Sequence, residues 1–108
     1  MKLSDLVNKF GTTPLTQNFE ERDITGCYIG DLLSWVMGKA QSGDVWITIM
    51  NNINIVAVAA LTDCAAILLC ESVSLSPEVL AKAEKEGVAV FSSDKTAYEL
   101  AKELCGEL

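Results

Sequence analysis

From the Ile29-Gly30 pair onward, the chain alternates between stretches whose apolar residues recur with a helical period and short runs that are apolar almost throughout. Ile29, Leu32, Leu33, Val36, Met37 and Ala40 keep that period, and Gly38 and Gln41-Ser42-Gly43 supply its stop before the run 45–50, Val-Trp-Ile-Thr-Ile-Met. A β-branched and aromatic run that is apolar on both sides must be buried on both faces, as a strand inside a parallel sheet is. Parallel neighbours need a crossover of about a dozen residues between them, and the helical stretches supply these. The order α-β-α-β-α-β-α predicts an α/β fold: a three-layer sandwich with a mainly parallel sheet of about four to five strands and helices on both faces.

Residues 51–60 carry two periods at once. Ile53, Ile55 and Ala57 alternate, whereas Ile53, Val56, Ala57, Ala60, Leu61 and Cys64 recur as on a helix. The alanines, an N-cap at Asn51 or Asn52, and the need for a crossover before the apolar run 65–70 favour the helix. Ser76-Pro77-Glu78 opens the next helix with a capping serine, a proline in the first turn and an acid near the positive end of the dipole, and Gly87 ends it. After the short strand 88–91, Ser93 or Asp94 caps a last helix with Ala97, Leu100, Ala101 and Leu104 on its inner face.

Upstream, Leu3, Leu6, Val7 and Phe10 share one helical face that ends at Gly11. Residues 12–23 hold only Leu15 and Phe19 as apolar anchors, which fits either a short strand over 15–19 or a mobile loop. Residues 24–28 read as an extended segment. Leu32, Leu33, Val36, Met37 and Trp46 are expected in the core, while Trp35 lies off the apolar stripe.

A chain of 108 residues makes one domain, 1–108. Its 15 acids against 8 bases give a net charge of −7, which repels nucleic acid and anionic membrane surfaces. The longest apolar run, 55–61, falls far short of the roughly 20 residues a membrane span needs. Asp5 stands where a signal peptide would begin its apolar core, so a cytoplasmic location is expected.

The chemistry-bearing residues are sparse. Four cysteines, Cys27, Cys64, Cys70 and Cys105, show no C-x-x-C spacing and there is no histidine, so no metal and no cofactor is expected. Cys64 and Cys70 read as core residues, and Cys27, beside Gly26, is the one candidate for reactivity. Gly38-Lys39 is followed by Ala40, and Leu33 stands where a P-loop requires its first glycine. With no nucleophile–base pair, and nothing to bring Asp31, Asp44 or Glu71 together, no catalytic residue is assigned.

Three patterns carry a family resemblance: Gly26-Cys27-Tyr28-Ile29-Gly30-Asp31-Leu32-Leu33-Ser34 with Val36-Met37; Gly43-Asp44-Val45-Trp46-Ile47-Thr48; and Ser76-Pro77-Glu78 through Ala97-Tyr98-Glu99-Leu100. In order and spacing they resemble the DRTGG domain and the related N-terminal domain of HPr kinase/phosphorylase. The pentapeptide that names the family is absent, and Asp23-Ile24-Thr25-Gly26-Cys27 is the nearest run. The resemblance implies a non-catalytic regulatory or dimerising module, in larger proteins often beside CBS domains, and such a module is expected to work as a homodimer or by docking on a partner. Solitary members are also similar to proteins encoded near iron-only hydrogenase components, which implies a redox or signalling complex as partner. The interface candidates are Tyr28, Asp31 and Trp35. The alternative is a small-ligand sensor for a nucleotide or anion at the carboxyl ends of the strands, with Gly26, Cys27, Asn51, Asn52, Ser92, Ser93 and Asp94 as its residues.

Overall fold

The computed structural model describes all 108 residues. In chain order its elements are α1 (Leu3–Asn8), β1 (Thr13–Pro14), β2 (Gly26–Ile29), α2 (Leu33–Lys39), β3 (Asp44–Thr48), α3 (Asn54–Thr62), β4 (Ala66–Leu69), α4 (Pro77–Glu86), β5 (Val90–Ser92) and α5 (Ala97–Leu104). They form a five-stranded sheet in the order β1-β5-β4-β3-β2. Strands β2 to β5 are mutually parallel, and β1 alone runs antiparallel, against β5. The expected α/β sandwich with a mainly parallel sheet is therefore present.

Each crossover from β2 to β5 steps one strand along in the same direction. Right-handed connections then put α2, α3 and α4 on one face of the sheet. That layer joins Val36, Ile55, Val56, Val79 and Ala83 to Trp46, Ile67, Leu69 and Val90. The opposite face is covered by α1 and α5, whose Leu3, Leu6, Leu100 and Leu104 meet Val45, Ile47, Leu68 and Phe91. Strands β3 and β4 are buried along their whole length, as a two-sided apolar run requires. No helix is long and apolar enough to cross a membrane.

The boundaries depart from the sequence reading in instructive places. Ile29 is the last residue of β2, paired with Ile47, and not the first residue of a helix. The backbone N–H of Gly30 also donates to Ile47 O, so the ladder holds the chain extended and delays α2 until Leu33. Of the two readings left open for 12–23, a strand over 15–19 or a loop, no strand forms over 15–19, and the two-residue β1 lies just before it. The cap of α3 is Ile53 rather than Asn51 or Asn52, although the Asn52 side chain still accepts from Asn54 N, at 2.9 Å. The last helix starts later than Ser93 or Asp94 would place it. Thr96 accepts from the N–H of Glu99, and the Glu99 carboxylate accepts from Thr96 N, a reciprocal capping box.

Helix α2 buries only Val36; Leu32 and Met37, expected in the core, are exposed. The helix is two turns long and lies over the edge of the sheet, so one narrow stripe finds a surface to cover.

Candidate functional site

Two surfaces carry the residues that could bind something. The first is a cleft of about 500 Å³ beside the carboxyl ends of β4 and β5, lined by residues 72–75, Ser92, Ser93 and Asp94, with Gly11, Thr13 and Leu15 from the N-terminal segment and Leu80 from α4. Its wall begins at two non-glycine residues in the left-handed region, Glu71 (φ 55) and Ser72 (φ 60). This conformation costs of order 1–2 kcal/mol per residue and needs outside support. The support is a pair of backbone bonds, Glu71 N to Lys95 O at 2.8 Å and Ser72 N to Ser93 O at 2.9 Å.

The cleft offers hydroxyls and backbone groups, and Asp94 is its one charged residue. The nearby cation, Lys95, is paired with Glu103, which holds its ammonium above the usual range. Ser93 is partly used as well, since its Oγ accepts from Lys95 N at 3.1 Å. Such a lining suits a ligand with hydroxyl and amino groups better than one with bare phosphates.

Of the ligand candidates, Ser92, Ser93 and Asp94 come together here. Asn51 fastens the wall from outside, donating from Nδ2 to Ser74 O at 3.1 Å. Asn52 is engaged with Asn54. Gly26 and Cys27 lie on β2, at the opposite edge of the sheet. A side chain at Gly26 would collide with the Asp44 carboxylate, a Cβ there coming within 2.5 Å of Oδ1, so this glycine serves close packing. The lining residues that sequence reading missed are 72–75 and Leu80 around β4 and α4, and Gly11, Thr13 and Leu15 from the N-terminal segment. No periodicity in 12–23 signals that the segment folds back along β5.

The second surface is the β2 edge with α2. Cys27 and Ile29 face the α5 side of the sheet and, with Ala101, Leu104, Cys105 and Leu108, form an apolar groove of about 510 Å³. Desolvation there, with the Asp44 carboxylate in second place, pushes the Cys27 thiol up to about 11. The thiolate is the reactive form, so this shift works against the reactivity considered for Cys27, although its side chain is exposed. Alkylation of Cys27 followed by mass spectrometry is expected to be slow at pH 8 and to quicken steadily up to about pH 11; a plateau below pH 9 would contradict the desolvated setting.

Around α2 the interface candidates separate. Tyr28 is half-buried and packs toward the α2–α4 layer. Asp31 anchors a turn: its Oδ1 accepts from Thr48 Oγ1 at 2.8 Å and from Ile49 N at 3.0 Å. Trp35 is 58% exposed, with the Lys39 ammonium 4.7 Å from its ring centre.

Comparison with known proteins agrees with this architecture. A search of curated proteins finds no match. Among solved structures, the chain is similar to the CBS and DRTGG domains of the regulatory region of a Clostridium perfringens pyrophosphatase complexed with the activator diadenosine tetraphosphate. The TM-score is 0.71 at 12% identity, over 93% of this chain and 44% of that one, so the chain spans less than half the length of that relative. The likeness is one of fold. The model of the DRTGG domain matches residues 5–105, nearly the whole sequence, and the chain belongs to the DRTGG domain family.

Proposed function

We propose that residues 1–108 work in the cytoplasm as a regulatory module that acts by docking on protein, not by chemistry. The observation that carries this reading is where the exposed apolar side chains fall. Of the nine large exposed hydrophobic residues, Ile29, Leu32, Trp35, Met37, Ile49 and Ile53 belong to β2, α2 and the turn after β3. Scattered exposed apolar residues are ordinary, but Leu32, Trp35 and Met37 fall within one short helix and its cap, which supports a contact surface there. Aromatic anchors such as Trp35 are enriched at the centres of interfaces. A redox complex, of the hydrogenase kind that the family resemblance suggests, would engage the domain through this surface.

Affinity capture from the native host, with the double variant Leu32→Ser, Trp35→Ala as the control bait, tests the reading. Partners retained by the wild type and lost with the variant are the expected result. The same set recovered by both baits would overturn it.

A second reading is supported by the strained wall and hydroxyl-lined cleft at the ends of β4 and β5. There the domain would sense a small ligand; the lining favours a nucleoside over its phosphates, so adenosine is the first compound to try and the nucleotide activator of the similar pyrophosphatase region the second. A ligand at about 100 times its Kd adds about 2.7 kcal/mol and raises Tm accordingly. Adenosine, ATP and diadenosine tetraphosphate that all leave Tm unchanged would remove this reading.

A further inference from the structure

We infer that the cleft at the ends of β4 and β5 takes a ribonucleoside, with the two sugar hydroxyls on the Asp94 carboxylate and the base against an apolar wall. The inference rests on the small-ligand reading above and adds the class of ligand and the residue that selects it. Its first ground is topology. Strands β4 and β5 are parallel neighbours, with Leu69 beside Ser92 at their carboxyl ends. The chain leaves β4 for α4, on the Trp46 face of the sheet, and leaves β5 for α5, on the opposite face. The connections after β2, β3 and β4 all run to the Trp46 face, so β4 and β5 are the one parallel pair whose outgoing loops part. In an open parallel sheet the crevice for a ligand opens at such a parting.

The second ground is the strained wall. Glu71 and Ser72 hold left-handed conformations that ordinary side chains avoid, and their two backbone bonds to the loop after β5 lock them there. Strain retained in this way clusters at ligand sites.

The lining then specifies the chemistry. Leu15, Val73, Leu75 and Leu80 are half-buried and supply apolar surface for a flat ring. Serine hydroxyls at 72, 74, 92 and 93 adjoin it, and Asp94 adds an exposed carboxylate. Asp94 enters none of the five ion pairs, and the neighbouring Lys95 is committed to Glu103. A carboxylate only accepts, so the group that meets it must bring donors, and two adjacent hydroxyls suit its two oxygens. An ammonium would answer the charge and leave the serine hydroxyls without a partner. A phosphate would face Asp94 with no cation in the lining to offset the repulsion. A ribonucleoside brings the ring, the diol and no charge, and the cleft of about 500 Å³ falls within the range of roughly 300–1,000 Å³ usual for small-molecule sites.

Isothermal titration calorimetry on the full chain tests this with adenosine, 2′-deoxyadenosine, 3′-deoxyadenosine, AMP and ATP, against wild type, Asp94→Asn and the cleft-filling Ser74→Trp. Adenosine is expected to bind the wild type, and loss of either sugar hydroxyl to weaken it about 10-fold or more, as befits a hydrogen bond to a charged group. Asp94→Asn is expected to weaken adenosine by a similar factor and to change 2′-deoxyadenosine less than about 2-fold. AMP and ATP are expected to bind the wild type more weakly than adenosine, by a margin that narrows in Asp94→Asn. Ser74→Trp is expected to abolish binding, with circular dichroism showing that both variants are folded. Equal binding of adenosine and 2′-deoxyadenosine, or of adenosine to wild type and Asp94→Asn, would overturn the diol assignment and leave the small-ligand reading standing. ATP binding more tightly than adenosine would overturn the choice of an uncharged ligand. Unchanged binding by Ser74→Trp would place the ligand elsewhere and overturn the inference. If none of the five compounds binds, the small-ligand reading and the inference fall together.

Discussion

Replacing Trp46 by alanine is expected to lower the unfolding free energy by about 3–5 kcal/mol, against a total of about 5–15 kcal/mol for a domain of this kind. Trp46 lies in the middle of β3, with Tyr28 and Ile67 as its neighbours in the ladder, and is fully buried. Its ring fills the layer between the sheet and α2 and α3, so truncation leaves a cavity that the two flanking strands cannot close. The indole also donates to Gly30 O at 2.9 Å, which fixes the turn between β2 and α2. Phenylalanine restores most of the volume and none of that bond, so Trp46→Phe is expected to cost roughly 1–2 kcal/mol, largely through the unpaired carbonyl. Urea unfolding followed by circular dichroism measures both. Equal losses for the two variants would show that the turn, and not the packing, depends on this residue.

The second large effect sits in the segment that carries no hydrophobic pattern. Thr16 is fully buried. Its hydroxyl donates to Val88 O at 3.1 Å and accepts from Val90 N at 3.0 Å, beside the backbone bond from Leu15 N to Val90 O at 2.8 Å. A side chain here completes the open edge of β5 where β1 has ended. Thr16→Val keeps the shape and strands a buried N–H, at a cost of about 1–3 kcal/mol, whereas Thr16→Ser retains both bonds and is expected to lose well under half as much. Hydrogen exchange at Val90 provides the local readout, with protection lost in the valine variant and kept in the serine one. If the two variants exchange alike, the hydroxyl is not the partner that holds β5.

Residues 12–23 were open between strand and loop on sequence grounds because their anchors are polar and distant. The Glu84 carboxylate accepts from Gln17 N at 2.6 Å and Asn18 N at 3.0 Å, and Arg22 pairs with Asp63 at 2.9 Å. Periodicity reports which side chains avoid water, and it is silent about hydrogen bonds made across 41 to 74 positions of sequence. The same silence hid the cleft, whose N-terminal wall comes from this segment. The ligand candidates at the carboxyl ends of β3 and β5 were placed by a general rule of parallel sheets, and only those after β5 line the cleft. Sequence cannot tell which strand ends the loops will bridge.

The sequence by itself determined the α/β class, the parallel strands and the family, because these follow from apolar runs, helical spacing and motif order, which are local properties of the chain. It also determined that metal ligation and phosphate cradling lack their usual motifs. Tertiary structure decided the rest. The apolar period through Ile29, Leu32 and Met37 is real, yet pairing of Ile29 with Ile47 drew that residue into the sheet, and the position of α2 over the sheet edge left Leu32 and Met37 facing outward. Amphipathic spacing states that a surface must be covered. Whether the sheet covers it or another molecule does depends on where the strand order ends, and that is a property of the assembled fold.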